Sequence, residues 1–336
     1  MTARREFDFF MKFWAIVFLC VAAATIYMLI MDSLSPEAPD FHFIDATSGS
    51  SLFGAQKVLT VRDEGRVLDY RYGDQLPVGL DASLVRSCYI HPLYSLDGEP
   101  MTADFPTDHL HHHGLFWAWA FVRVRGVDTQ TWHPAEPSLR QHFVKWVKRE
   151  ADWRGRYMVV ENAWKLGEVE DVAVETVSLF IHRASGLGRA IDVEIVIRPV
   201  GGPLELRGAS EDNKGYGGLC FRGAPILKGA VMTTDEGPLE ADSTGRPFRW
   251  ADLSTPGHGG VAIFVSPDHP GYPLAWLVRN SYAGVINPCW PGPAGATVPS
   301  DTPVSLRYRI YVHRGDAAAG RVKEAFEAYL AGRGGF

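Results

Sequence analysis

The chain has 336 residues and a formal net charge of −6, which leaves no electrostatic footprint for nucleic acid. Its four cysteines include no Cys-x-x-Cys pair and no Cys-x-x-Cys-His, so paired-cysteine zinc or redox chemistry and covalent haem drop out. Cys20 lies in an apolar run, and Cys88, Cys220 and Cys289 allow at most one intrachain disulfide, which excludes a disulfide scaffold.

Residues 13–31, FWAIVFLCVAAATIYMLIM, are uncharged and apolar throughout. As a helix they would measure about 28 Å, close to the hydrocarbon thickness of a bilayer. This predicts a single transmembrane anchor with Phe13, Trp14, Phe18 and Tyr27 as its aromatic contacts. The head, 1–12, carries Arg4, Arg5 and Lys12, whereas Asp32, Glu37 and Asp40 follow the run and no Lys or Arg appears until Lys57. Basic residues stay on the cytoplasmic side, so the expected placement is a bacterial inner membrane with the main domain periplasmic. A cleaved signal peptide would have a shorter core; here Ala22, Ala23 and Ala24 sit in the middle of the run. The Ala3–Phe7 string is only a weak match to a twin-arginine signal.

Residues 32–40, DSLSPEAPD, read as a polar linker, and 41–316 as one β domain. Within it 174–183 and 189–200 alternate apolar and polar residues across a short ASGLG break, the period-two pattern of neighbouring antiparallel strands. Residues 259–267, 275–280 and 303–315 behave alike, and glycine and proline punctuate the remainder at short intervals. Only in 317–336 does a helical period appear: Val322, Ala325, Phe326 and Leu330 share a face, with Gly332 as a stop. The predicted fold class is mainly β, an antiparallel β-sandwich with one N-terminal transmembrane helix and a short C-terminal helix.

The densest chemistry lies in CYIHPLYSLDGEPMTADFPTDHLHHHGLFWAW, 88–119. Read as an extended segment, it places His109, His111 and His113 on one face and His112 on the other. Three imidazoles on one face are candidates for a divalent metal, with Asp108 orienting one of them. A His/Asp pair is equally a candidate general acid or base, and the bland account is a polar strand end. No cofactor is expected beyond that metal alternative.

These residues resemble the bacterial PmoA-like family. The resemblance rests on YIHPLYSLDGEPMTADFP and DHLHHHGLFWAW. Supporting segments are EDNKGYGGLCFRG (211–223), TTDEGPLEADSTGRPFRWADLST, VAIFVSPDHPGYPLAWLVRNSYAGVINP and LRYRIYVHRGD. It covers most of 55–316 and implies an extracytoplasmic β-sandwich related to carbohydrate-active folds. Against the family pattern, Leu110 stands where a proline would be, His113 where an arginine would be, and Leu277 where a histidine would follow Trp276. Asp268-His269-Pro270 is kept. The losses imply a retired enzyme, because a histidine cannot make the bidentate fork of an arginine.

Further candidates are dispersed. Lys214 and Arg222 flank Gly215, Gly217 and Gly218 without P-loop or dinucleotide-fold spacing, so solvated charges at a turn are the plainer account. His91, His258, Asp268 and His269, with Lys214, are substrate-binding candidates, and Trp290 in a Pro/Gly loop is a candidate protein contact. Two readings follow. The leading one is an accessory subunit whose sandwich braces the extracytoplasmic face of a larger membrane complex, a photosynthetic reaction-centre–antenna assembly for instance, with integral-membrane subunits as partners. The alternative is a membrane-tethered carbohydrate-active enzyme or carbohydrate-binding protein, with Asp108, His109, His111, His112 and Arg222 lining its pocket.

Overall fold

A computed structural model describes residues 42–51, 54–281 and 284–332, together with 14, 17, 18, 20–23, 25 and 26. Five strands come first: β1 (His42–Ser51), β2 (Gly54–Asp63), β3 (Gly65–Arg71), β4 (Tyr89–Leu93) and β5 (Leu115–Trp119). The short β6 (Phe121–Val124) and β7 (Val127–Thr129) precede four long strands, β8 (Leu139–Ala151), β9 (Gly155–Leu166), β10 (Glu170–His182) and β11 (Gly188–Pro199). Shorter pieces follow: β12 (Leu204–Arg207), β13 (Gly217–Arg222), β14 (Val231–Thr234), β15 (Gly237–Leu239), β16 (Ser243–Phe248), β17 (Trp250–Thr255) and β18 (Gly259–Val265). Last come β19 (Leu274–Arg279), β20 (Val285–Cys289), β21 (Ala296–Val298), β22 (Val304–His313) and the helix α1 (Val322–Ala331).

Among the described residues these strands form two nine-stranded sheets and a four-stranded one. The first sheet runs β1-β2-β3-β4-β5-β13-β20-β19-β16, and the second β15-β14-β17-β18-β22-β11-β10-β9-β8. The small sheet, β21-β12-β6-β7, carries Val122, Val124, Leu204 and Leu206 into the same core. β10 and β11 pair antiparallel, with Val177 opposite Ile195, as the alternation predicts. The two large sheets share one core. Ile90, Trp117, Leu219, Phe221 and Trp276 come from the first, and Val160, Val177, Leu179, Val193, Ile263 and Ile310 from the second. Every second residue points inward, so each strand hands one apolar row to that core.

Several strands, β18 and β5 among them, are apolar on both rows because both their faces are covered. β18 turns Ala262 and Phe264 outward against Val322 and Phe326 of α1. That contact gives the predicted helical face its partner, and Gly332 caps the helix through Ala328. β5 turns Phe116 and Ala118 outward into a second, smaller cluster with Tyr89, Trp132, Cys220, Leu277, Val285 and Cys289. The outer face of the first sheet is therefore roofed by connecting segments, and this roof holds the histidines. The cysteines are free thiols, with Cys88, Cys220 and Cys289 buried.

The N-terminal expectation is corrected in part. Among the described residues no helix is long and apolar enough to cross a membrane. Of the run at 13–31, Trp14 and Phe18 are helical and exposed, whereas Phe13 and Tyr27 lie outside the described residues, as do the head at 1–12, the linker at 32–40 and the tail at 333–336.

Candidate functional site

The histidine run does not form a strand. Pro106 and the residues after it fold into turns, in which the His109 N–H donates to the Pro106 carbonyl (2.9 Å) and the His112 N–H to the His109 carbonyl (2.9 Å). Period two therefore does not apply. His109 and His112, three residues apart, stack with ring centroids 4.8 Å apart and 19° between their planes. His111 packs on His112 at 4.6 Å and on His133, from the segment after β7, at 4.0 Å.

Arg222 ends β13, and its outward side chain is buried under this turn. Its Nη2 donates to both oxygens of Asp108, at 2.8 and 2.7 Å, and its Nη1 approaches His112 Nδ1 at 3.5 Å. Arg222 can only donate, so this long contact favours the neutral His112 tautomer with its proton on Nε2. Asp108 also accepts from His109 Nδ1 at 3.1 Å. Burial, the largest single effect, raises the Asp108 pKa, and the bonds from Arg222 and His109 together outweigh it, so the carboxyl sits below its ordinary value. The five candidates Asp108, His109, His111, His112 and Arg222 thus meet in one cluster.

His113 turns the other way. Its Nδ1 donates to Asp104 Oδ1 at 3.0 Å, and Tyr89 Oη donates to Asp104 Oδ2 at 2.8 Å. Two donors make Asp104 the carboxylate, and burial keeps the His113 pKa below its usual value. His91 bonds Thr102 Oγ1 at 3.0 Å, and burial pushes its pKa down to about 4. His109, His111 and His113 consequently do not converge as metal ligands. Among the described residues no group of three or more His, Cys, Asp or Glu side chains is placed to hold a metal ion.

Gly114 lets β4 and β5 approach here. Its φ is +63°, and a Cβ there would overlap the Ile90 carbonyl oxygen and lie 2.9 Å from the His91 Cβ. Its carbonyl accepts from the Arg222 N–H at 2.7 Å. Gly114→Ala should therefore lower stability by about 2–4 kcal/mol, from the left-handed backbone plus overpacking, as read by urea denaturation. A change within error would show that the strands can part there freely.

Beside the cluster opens a cleft of about 500 Å³, lined by His111, His113, Trp132, His133 and Arg86 among others. Burial, then the neighbouring His133, pushes His111 down to about 3, and burial likewise lowers His112 and His133. These rings are uncharged at neutral pH. Arg86 is buried, and its Nη1 and Nη2 donate to the Thr131 (2.7 Å) and Trp117 (3.0 Å) carbonyls, which fixes the segment carrying Trp132 and His133. Trp132 packs on Tyr216 at 4.7 Å.

The other sequence candidates lie outside this cluster. Lys214 is tied to Glu211 (2.6 Å) and Asp212 (3.2 Å). His258 is exposed and bonds Glu99 at 3.1 Å. His269 is buried and saturated: Nδ1 donates to the Pro270 carbonyl and Nε2 accepts from Tyr308 Oη, both at 2.8 Å, while Asp268 beside it is exposed. Trp290, expected as an exposed contact, is 5% exposed, and its carbonyl accepts from Trp119 Nε1 at 3.0 Å. The sequence reading missed His133, Trp132, Asp104 and Arg86. The dipeptide Trp132-His133 ahead of Pro134 was the only local signal for any of them.

The family whose sequence model matches the chain is described as "Family of unknown function (DUF6807)", over residues 57–327. The chain belongs to that family. No curated protein matches it. A solved structure of a "putative aldose 1-epimerase" from Klebsiella pneumoniae is similar at 11% identity, with 91% of each chain covered and a TM-score of 0.43. These findings correct the expectations drawn earlier. The family is DUF6807 and not a PmoA-like one. The accessory-subunit reading is withdrawn as well: among the described residues no helix is long and apolar enough to anchor it in a membrane.

Proposed function

We propose that the protein binds a carbohydrate in the cleft beside the histidine cluster and acts on it there by proton transfer. The observation that supports this is the mixture of groups around one open volume: the indole of Trp132, the uncharged rings of His111 and His133, and the clamped Arg86. A volume of about 500 Å³ falls within the range of small-ligand sites. A neutral imidazole offers one donor and one acceptor, which suits a hydroxyl, and an indole offers an apolar face with a polar edge. Uncharged at pH 7, His111 is free to accept a hydrogen bond from a sugar hydroxyl, and it acts as a general base to the extent that a bound ligand raises its value from about 3 towards neutral. Arg222 is a positioning residue in this account, because it holds the turn through Asp108 and does not line the cleft itself.

The test is calorimetric titration with a panel of neutral mono- and disaccharides, joined to polarimetry of freshly dissolved aldoses. His111→Ala should lower any turnover about 100-fold or more, the usual loss for a general base. Arg222→Lys, which keeps the charge but loses the fork, should weaken binding with the fold intact. A protein that binds no saccharide, or variants that bind like the parent, would sink the proposal.

A further inference from the structure

A second cavity lies at the other end of β3. Gly65, Arg66 and Val67 at the start of that strand line it, whereas Asp74, beyond the strand's end, lines the histidine cleft. Its volume is about 530 Å³. Four arginines reach it from four separate stretches of chain: Arg66 on β3, Arg183 after β10, Arg189 on β11 and Arg314 after β22. No lysine lines it.

The arginines are held in place by the protein. Arg66 Nη1 donates to Tyr94 Oη at 2.9 Å, and Arg183 Nε to the Trp153 carbonyl at 2.8 Å. Arg314 spans Asp97 (2.7 Å) and the Gly186 carbonyl (3.1 Å). Arg189 is the deepest, its side chain 8% exposed, with Nη2 on Asp63 at 2.8 Å. Its Nη1 is buried and, among the described residues, has no hydrogen-bond partner.

Three carboxylates, Asp63, Glu64 and Asp97, also line the cavity, so four positive charges face three negative ones. Gathering four guanidinium groups costs mutual repulsion and side-chain entropy, and a buried N–H without an acceptor costs about 1–3 kcal/mol. Asp63 offsets part of that repulsion, since it sits between Arg189 (2.8 Å) and Arg183 (3.8 Å). Guanidinium is the side chain best shaped to fork onto a tetrahedral oxyanion, and it does so in a way an ammonium cannot.

We propose that this cavity is a binding site for a phosphate or sulfate group, with Arg189 at its base and Arg66, Arg183 and Arg314 around it. The shared chemistry is the tetrahedral oxyanion, carried either as the free inorganic ion or as an ester on a sugar. The site is separate from the histidine cleft, so its failure leaves the carbohydrate reading untouched, and the converse holds.

The experiment titrates the full chain with inorganic phosphate, inorganic sulfate and glucose 6-phosphate, against sodium chloride at matched ionic strength. Saturable binding is expected, weakened about tenfold or more in Arg189→Lys, where a fork becomes a point charge. Arg314→Gln, at a half-exposed side chain, gives a second variant whose folding is not at stake and whose binding should fall in the same direction. Tighter binding of an inorganic ion assigns the free source, and tighter binding of the ester assigns the sugar-borne one. Heat no greater than that of chloride, or binding that both folded variants retain, overturns the proposal.

Discussion

Glu175→Leu should destabilise the protein by about 3–5 kcal/mol, the usual cost of stranding one partner of a buried charged network. Glu175 faces inward from β10 and has no solvent exposure. Its Oε2 accepts from the indole N–H groups of Trp117 (2.8 Å) and Trp164 (2.9 Å), and its Oε1 from Asn162 Nδ2 at 2.9 Å. Burial raises its pKa, and the three donors and the nearby Arg86 oppose that rise. Leucine would fill much of the volume but orphan two indoles and an amide, and would leave Arg86 without its counter-charge. Each orphaned donor costs about 1–3 kcal/mol, and the terms overlap because the donors share one acceptor. Glu175→Gln keeps one carbonyl oxygen and should lose about 1–3 kcal/mol, since one donor then meets an NH₂. The effect should reach the cleft as well, because Arg86 holds the Thr131 carbonyl beside Trp132 and His133. Urea denaturation followed by tryptophan emission reads both. A leucine variant as stable as the parent would show that the network sets geometry without adding stability.

Much of the framework was legible because it follows a period. β10, β11, β22 and α1 each repeat at two or at 3.6 residues with one face largely covered, and the sequence places them, and β18 and β19, within a few residues of where they lie. β5 was not legible, since Leu115–Trp119 is buried on both faces and alternation disappears. The histidine run misled for the opposite reason. Alternation was assumed where Pro106 and the bonds of the turn break the strand, and so His113 was grouped with His109 and His111 although it faces Asp104.

The site was legible in its members and not in its geometry. Asp108 and Arg222 were both singled out, but they are 114 positions apart and meet only because β13 pairs with β5, Phe221 opposite Leu115. Register of that kind is set by packing across the whole sheet, and no local pattern encodes it. His133 carried no spacing signal at all, and Trp290 looked exposed because its Pro/Gly surroundings resemble a free loop while its ring fills a gap beside Trp119.

Acidification from pH 7 towards pH 4.5 should destabilise the protein steeply, and the histidines should be the cause. Burial pushes His111 down to about 3 and His91 and His269 down to about 4, and it lowers His112, His133 and His142 as well. In the unfolded chain each would take up a proton near pH 6.5. Between 6.5 and the folded values the unfolded state binds more protons, so stability is full above about 6.5 and falls as pH drops, by up to about 1.4 kcal/mol per pH unit for each histidine. The carboxylates with lowered values, Asp108, Asp192 and Glu168 at about 2, work in a lower window, since their unfolded counterparts protonate only near pH 4. Urea midpoints at pH 7, 5.5 and 4.5 separate the two groups. His111→Gln with His112→Gln should flatten the slope between 6.5 and 4.5 while leaving the remainder from His91 and His269. An unchanged slope would mean that the cluster is hydrated and titrates normally. His111 would then be a stronger base near neutral pH, so that outcome would overturn the burial of the cluster and leave its role at a sugar hydroxyl standing.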